Sequence, residues 1–518
     1  MSRFGLSFPG VRKSFGDRCS EALGCGRRNC RKLFKGLWAS CWVLVALWSA
    51  SLVGFEGLEQ GRQLRDASGE GSTAQLEKPD GRLWSASKQT QPAESRRPQS
   101  STISTRSSKQ TSLSQDSKQK QPNSLKAPPT SEPQQVKPSD TSAAAESSDQ
   151  KRPNRLVRVT FFNADGNFTT VKGKVLVEAV DGGLLVLGRD GQLWTVLGAQ
   201  LKKREELEEP FRPLNKKELA QELVSELRQQ LPGVSPNIVT TRHYVICSTA
   251  SVAYARWTGA LFERLYNSFR RFWRSAHLKL HDPEFPLPAV VLASRKQFVK
   301  IASREVKDSL TGVSGFYSIQ RNRMVMFDLT CLQSRGGVGQ TRTATEIVRR
   351  LARTPENVAT IIHEATHQIA FNCGFHRRFA DNPLWLVEGL ATFFETPDLT
   401  SRTGWRSIGK PNPVRLRVFK QYVASGRPTN SLKSLVASNQ RFLSSPGDLY
   451  AYGEAWALTF FLIKRKRPQY VRYVSRLAQK PLLHPDSPTQ KLQDFEACFG
   501  SDWQRLDREF LSYILRLR

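Results

Sequence analysis

Gly36 to Phe55, GLWASCWVLVALWSASLVGF, is a run of 20 residues without a charge, bounded by Lys35 and Glu56. About 20 such residues cross a bilayer as a helix, so the run divides the chain into two compartments. The 35 residues before it carry nine Lys or Arg and two acids, which predicts a cytoplasmic N-terminus. The run is longer than a usual signal-peptide core, and no clean small-x-small cleavage site stands out, although Ser49 and Ser51 could serve. The expectation is an uncleaved, single-pass signal anchor at residues 36–55. It places the C-terminal part outside the cytoplasm, periplasmic or extracellular. Cleavage would make the same part secreted.

Composition then splits the exported part. Residues 56–152 are rich in Ser, Gln, Lys, Pro and Thr and poor in large apolar side chains. Such a segment cannot bury enough apolar surface to offset its ordering entropy, so it is expected to be a disordered tether. The chain as a whole carries 78 Lys and Arg against 46 acids, a net charge of +32. From Pro236 onward the balance is 42 against 21, so most of the excess lies on the part expected to fold. A charge of this sign suits an anionic surface polymer or lipid. A nucleic-acid role would rest on charge alone, and export argues against it. No zinc finger, P-loop or nucleotide fingerprint is present.

Order is expected from residue 153. RLVRVTFFNADGNFTTVKGKVLVEAVDGGLLVLGRDGQLWTVL alternates apolar and polar residues, with turn signals at Asp165-Gly166, Asp181-Gly182-Gly183 and Asp190-Gly191. That pattern predicts consecutive hairpins and a small all-β module, SH3-like, over 153–205. A helical connector follows over 206–235, with a charged helix near 215–230. Residues 236–518 read as one α+β domain, strands first and mostly helices afterwards. In it, NIVTTRHYVICST is expected as a strand, Val252–Trp273 as a helix that buries its aromatics, and PAVVLAS as a buried strand. GFYSIQRNRMVMFDL is expected as an exposed strand or hairpin. Cys247, Cys331, Cys373 and Cys498 fall in this exported domain, where up to two disulfides are possible.

The chemistry concentrates in TIIHEATHQIAFNCG, Thr360 to Gly374. Thr354-Pro355-Glu356 supplies a helix start and Gly374 a left-handed stop. Val358, Ile361, Ile362, Ala365 and Ile369 form an apolar stripe. His363 and His367, four apart, are neighbours on one face and can chelate one Zn²⁺. Glu364 is turned about 100° from His363 and can act as general base without ligating. Zinc lowers the pKa of a bound water to about 7, and a carboxylate can then take its proton as it attacks a carbonyl. Beyond it, NPLWLVEGLATFFETP places Glu388 on a second helix, opened by Asn382-Pro383 and closed by Thr396-Pro397.

HEATH followed by WLVEGLA resembles the paired motifs of M1-type aminopeptidases and related gluzincins. More closely, the domain resembles a family of uncharacterised bacterial gluzincin-like putative zinc metallopeptidases, exported or membrane-anchored. In that family HEATHQIAFN, WLVEGLATFFE and YGEAWALTFFL recur in this order. The resemblance implies a zincin-like (gluzincin) fold with His363, His367 and Glu388 as zinc ligands and Glu364 as base. It also implies that GFYSIQRNRMVMF edges the cleft and pairs with an extended protein or peptide substrate. Val387 replaces the asparagine of M1 enzymes, and a GAMEN-type signature is absent, so exopeptidase specificity has no support. For the oxyanion donor, Tyr452 in LYAYGEAWALTFFL is the expected residue, with Tyr450 and His376 as rivals. Thr392 could support the ligands, with core packing as the plainer role. The alternative is a zinc-retaining, catalytically inactive gluzincin-like domain that serves as a cell-surface binding module.

Overall fold

The computed structural model describes residues 155–163, 166–306, 310, 312–333, 341–396, 408–443 and 448–518. The expected basic N-terminus, apolar span and tether, residues 1–152, lie outside them. Among the described residues no helix is long and apolar enough to cross a membrane. The fold is α+β, with two five-stranded sheets and twelve α-helices among the described residues.

The first sheet is antiparallel. β1 (Arg155–Phe162), β2 (Phe168–Glu178), β3 (Leu184–Gly188), β4 (Leu193–Val196) and β5 (Leu201–Pro210) adopt the order β4-β3-β2-β1-β5, with β1 to β4 in a meander and β5 returning to pair with β1. Two of the Asp-Gly signals fold as read, and Asp165 of the third lies outside the described residues. Asp181 Oδ1 accepts from Gly183 N–H and Asp190 Oδ1 from Gln192 N–H, both at 3.0 Å. Gly182 and Gly191 supply the positive φ of each turn, +78° and +85°. β5 carries the sheet to Pro210, past residue 205, because Val157 and Arg155 of β1 pair with Glu206 and Pro210.

Helix α1 (Lys216–Gln230) follows, capped by Asn215, whose side chain accepts from Lys217 and Glu218 N–H. The second sheet then assembles. β6 (Asn237–Thr240), β7 (Tyr244–Ser248), β8 (Leu287–Leu292), β9 (Gly315–Ser318) and β10 (Arg323–Phe327) take the order β6-β7-β8-β10-β9. β7, β8 and β10 are parallel, while β6 and β9 form antiparallel edges. The stretch expected as one strand over NIVTTRHYVICST is therefore a hairpin. Its turn is fixed by Glu263, which accepts from His243 N–H and from the Thr241 hydroxyl, both at 2.7 Å.

Crossovers run through α2 (Val252–Ser275) and α3 (Arg295–Ala302). α2 buries Leu261, Phe262, Leu265, Phe269 and Trp273 and leaves Arg271 and Arg274 exposed, so its aromatics serve the core. β9 and β10 do form a hairpin, but every residue in both strands is buried, not exposed. α3 packs against β8 and β10, and the helix that carries the two histidines packs against β9 and β10, so the residues between the apolar positions are covered too.

The C-terminal half is helical: α4 (Ala344–Leu351), α5 (Pro355–Asn372), α6 (Leu384–Phe394), α7 (Pro413–Ala424), α8 (Ser431–Ala437), α9 (Asp448–Arg465), α10 (Arg467–Leu477), α11 (Pro488–Phe499) and α12 (Trp503–Leu515). α6 and α9 cross closely. A Cβ on Gly389 would lie 2.1 Å from Thr459 Oγ1 and 2.6 Å from the Ala455 carbonyl oxygen, so the crossing requires glycine. Cys247, Cys331, Cys373 and Cys498 are free thiols, and no disulfide joins them.

Candidate metal centre

α5 is placed by both of its faces. Its apolar stripe, including Val358, Ile361, Ile362, Ala365 and Ile369, is fully buried. Gly315 of β9 lets the strand approach the helix: an added Cβ would stand 2.9 Å from Ile361 Cδ1. Polar residues of the same helix clamp the β9–β10 turn. Gln368 donates to the Pro288 and Asn322 carbonyls at 3.0 and 3.2 Å. Asn372 and Asn322 exchange side-chain hydrogen bonds at 2.6 and 2.9 Å, and Asn322 also accepts from the Tyr317 hydroxyl. Pro355 opens α5 and Gly374 follows its end at φ +81°, as expected. Thr354 makes no side-chain cap bond, so the proline does the opening alone. At α6 the cap comes from a distance: Leu384 N–H donates to Asn439 Oδ1 at 3.0 Å, while Asn382 turns to the Arg377 and Ala380 carbonyls.

These constraints bring His363, His367 and Glu388 together, each no more than 3% exposed. His363 Nε2 and His367 Nε2 are 3.1 Å apart. Glu388 Oε2 lies 3.2 Å from His363 Nε2, and its Oε1 lies 3.6 Å from His367 Nε2. Glu364 also offers an oxygen within 4.8 Å of both imidazoles. The Glu388 oxygens make the tighter set, and Glu364 is engaged elsewhere. Its Oε2 accepts from the Tyr317 main-chain N–H at 2.8 Å, while its buried Oε1 has no partner among the described residues.

The electrostatics divide the four groups. Burial raises the pKa of Glu364 to about 8, against the opposing pull of His363 and the Tyr317 N–H. Burial pushes His367 down to about 3, so it is a neutral imidazole, the form that ligates metal. Burial also acts on His363 and Glu388 but is outweighed. The Glu388 hydrogen bond and charge hold His363 up, and interaction with His367, then the hydrogen bond and charge of His363, hold Glu388 down. Three donors of this type at this spacing can hold a divalent cation. Glu364 can hold a proton beside it.

The sequence reading missed a supporting carboxylate. Glu395, one residue beyond α6, has Oε1 3.8 Å from His363 Nδ1. It is itself clamped by Arg415, whose Nε and Nη2 donate to its two oxygens at 3.0 and 2.9 Å, and by Asn412 Nδ2 at 3.0 Å. ETP appeared only as the end of the second helix, and nothing in sequence spacing ties it to an arginine 20 positions on.

The remaining candidates have neighbours of their own. The Tyr452 ring is buried beneath the Arg415 guanidinium, 5.6 Å from its centre, and edge-on to Phe442. Tyr450 is half-buried and stacks on Tyr422. His376 is buried between Phe371 and Phe375, with neither ring nitrogen bonded among the described residues. Thr392 donates to the carbonyls of Glu388 and Gly389 at 2.7 and 3.0 Å, so it serves the helix backbone. Glu454 of YGEAW is fully buried and pairs with Arg427 and Arg441, both at 2.7 Å, in a structural ion network.

A family model described as a protein of unknown function, DUF1570, matches residues 357–484. That span begins inside α5 and contains both histidines, Glu364, Glu388, Glu395, Arg415 and Tyr452. No curated protein matches the chain.

Proposed function

We propose that the chain is a membrane-tethered zinc peptidase of the gluzincin type, hydrolysing peptide bonds of protein or peptide substrates outside the cytoplasm. The observation that carries this reading is the donor spacing. Separations of 3.1, 3.2 and 3.6 Å among two imidazoles and a carboxylate bracket the tetrahedral edge of roughly 3.3–3.5 Å that zinc bonds of about 2.0–2.1 Å require. A zincin-like fold agrees with a histidine-bearing helix laid along an antiparallel edge strand and a third donor on the next helix. The SH3-like reading of the first sheet rests on its strand order. The membrane tether rests on the apolar run at 36–55 and the basic residues before it.

In this reading His363, His367 and Glu388 hold zinc, which supplies Lewis acidity at the scissile carbonyl and at water. Glu364, steadied through Oε2 by the Tyr317 N–H, takes a proton from the attacking water at Oε1 and delivers it to the leaving amine nitrogen. With the Tyr317 N–H committed, the substrate strand pairs with the Tyr317 carbonyl and with Gly315 of β9.

The test is metal content and proteolysis of an unfolded protein such as reduced casein, using the full chain in detergent and its Glu364→Gln variant. About one zinc per chain with cleavage confined to the parent supports the proposal. Zinc without cleavage in either protein turns the reading to an inactive binding module. Less than a tenth of an equivalent of zinc in folded protein ends both.

A further inference from the structure

A groove of about 700 Å³ opens between α1 and the edge strand β6, distinct from the metal centre. Its walls include Ala220 and Val224 of α1 and Ile238 and Thr240 of β6, and its rim carries Lys217 and Arg228. Among the described residues the strand side is an unpaired edge. Thr241 N–H donates to the Tyr244 carbonyl, so Thr241 pairs inward toward β7. By alternation Val239 also pairs inward, and the N–H and C=O groups of Ile238 and Thr240, two residues that line the groove, point outward from the sheet edge. β6 carries no charge, proline or bulge of the kind that shields an exposed edge. The helix side is charge-segregated. Glu226 turns away to Arg321 and Arg323, while Lys217 and Arg228 have no acidic partner among the described residues.

We propose that this groove binds an extended acidic peptide, which adds to β6 as a further strand. Backbone pairing with Ile238 and Thr240 supplies the affinity, Val224 and Ala220 receive the inward side chains, and the two cations select acids. Lys217 and Arg228 are 11 residues apart, about 16 Å along the helix, which matches about five residues of extended chain. The preferred ligand therefore has acids five positions apart with β-branched residues between. The chain's own Ser/Gln/Lys-rich segment is basic and carries the wrong charge for this rim. The inference does not depend on metal or on peptidase activity.

The test is binding of a fluorescent peptide, Ac-EVTVTE-amide, to the full chain in detergent at low salt, measured by anisotropy. Its KVTVTK counterpart serves as the control. Saturable binding is expected, at least tenfold weaker for the lysine peptide and for the Lys217→Glu/Arg228→Glu pair. Thr240→Pro removes one outward donor without touching the β7 ladder and is also expected to cost at least tenfold. Equal binding of the two peptides, no binding of EVTVTE at millimolar concentration, or an unchanged affinity in both variants overturns the proposal. Self-association of the parent that Thr240→Pro abolishes would assign the groove to a second copy and also overturn it.

Discussion

The main-chain N–H of Tyr317 donates to Oε2 of Glu364 at 2.8 Å, joining the sheet edge to the candidate base. The bond depends on Gly315, two residues earlier, which lets β9 lie against α5. It leaves Oε1 as the one Glu364 oxygen without a partner among the described residues. Replacing Glu364 by Gln keeps the shape and removes the proton acceptor. The expected outcome is loss of peptidase activity by about 10²–10⁴-fold with zinc content unchanged. Paired metal analysis and casein cleavage check it, and a variant that has also lost its metal would show that Glu364 holds the ion rather than the proton.

Glu395 faces the far nitrogen of His363 and is itself held by Arg415 and Asn412. Carboxylates so placed orient a ligating imidazole, and their loss typically costs 10–100-fold in metal affinity. Glu395→Gln is expected to weaken zinc binding within that range in a chelator competition titration, with secondary structure intact. Arg415→Met is expected to act in the same direction, because it frees Glu395 from its clamp. Unaltered affinity in both would reduce the carboxylate to a packing role.

Gly389 sits where α6 meets α9. Gly389→Ala drives a methyl group into Thr459 Oγ1 and the Ala455 carbonyl, and backbone cannot yield as a side-chain tip can. A loss of about 3 kcal/mol in stability is expected by denaturant titration. Because Glu388 is its neighbour, zinc affinity should fall with it.

Glu226 gives a pH dependence away from the metal. Burial alone would raise its pKa, but the charge and hydrogen bond of Arg323 and the charge of Arg321 outweigh burial and hold it below the ordinary 4.5. A depressed carboxylate contributes stability that is present above the unfolded value and is lost as pH falls through the folded value. Glu226→Gln should therefore cost about 1–3 kcal/mol at pH 7, between exposed and fully buried ion pairs. The gap between parent and variant should narrow as pH falls below 4.5 and through the depressed folded value. Melting temperatures of both proteins from pH 3 to pH 7 measure it, and a gap that is constant over that range contradicts the assignment.

The elements that sequence made legible share a property: their information is local. The Asp-Gly turns, the stripe on α5 with its proline and glycine, and the spacing of His363, His367 and Glu388 all appear within a short window. What it hid is tertiary. The cap of α6 comes from Asn439, 55 positions away from Leu384. Glu395 gains its meaning from Arg415, and Glu454, in a motif that reads as functional, spends its charge on Arg427 and Arg441. Burial of β9 and β10 was equally hidden, because an alternating pattern shows one apolar face and cannot show that helices cover the other.

Arg378 lies two residues beyond His376 and donates to the carbonyls of Gly191 and Ile319 at 2.8 and 3.4 Å. It is buried deeply enough to lower its pKa. Leu193 N–H meanwhile donates to the Gln320 carbonyl at 2.8 Å. A polypeptide beginning at residue 236 would strand that guanidinium without its Gly191 acceptor and strip the cover from the turn that α5 clamps. The short β-rich block is a foundation of the larger domain, not a detachable appendage.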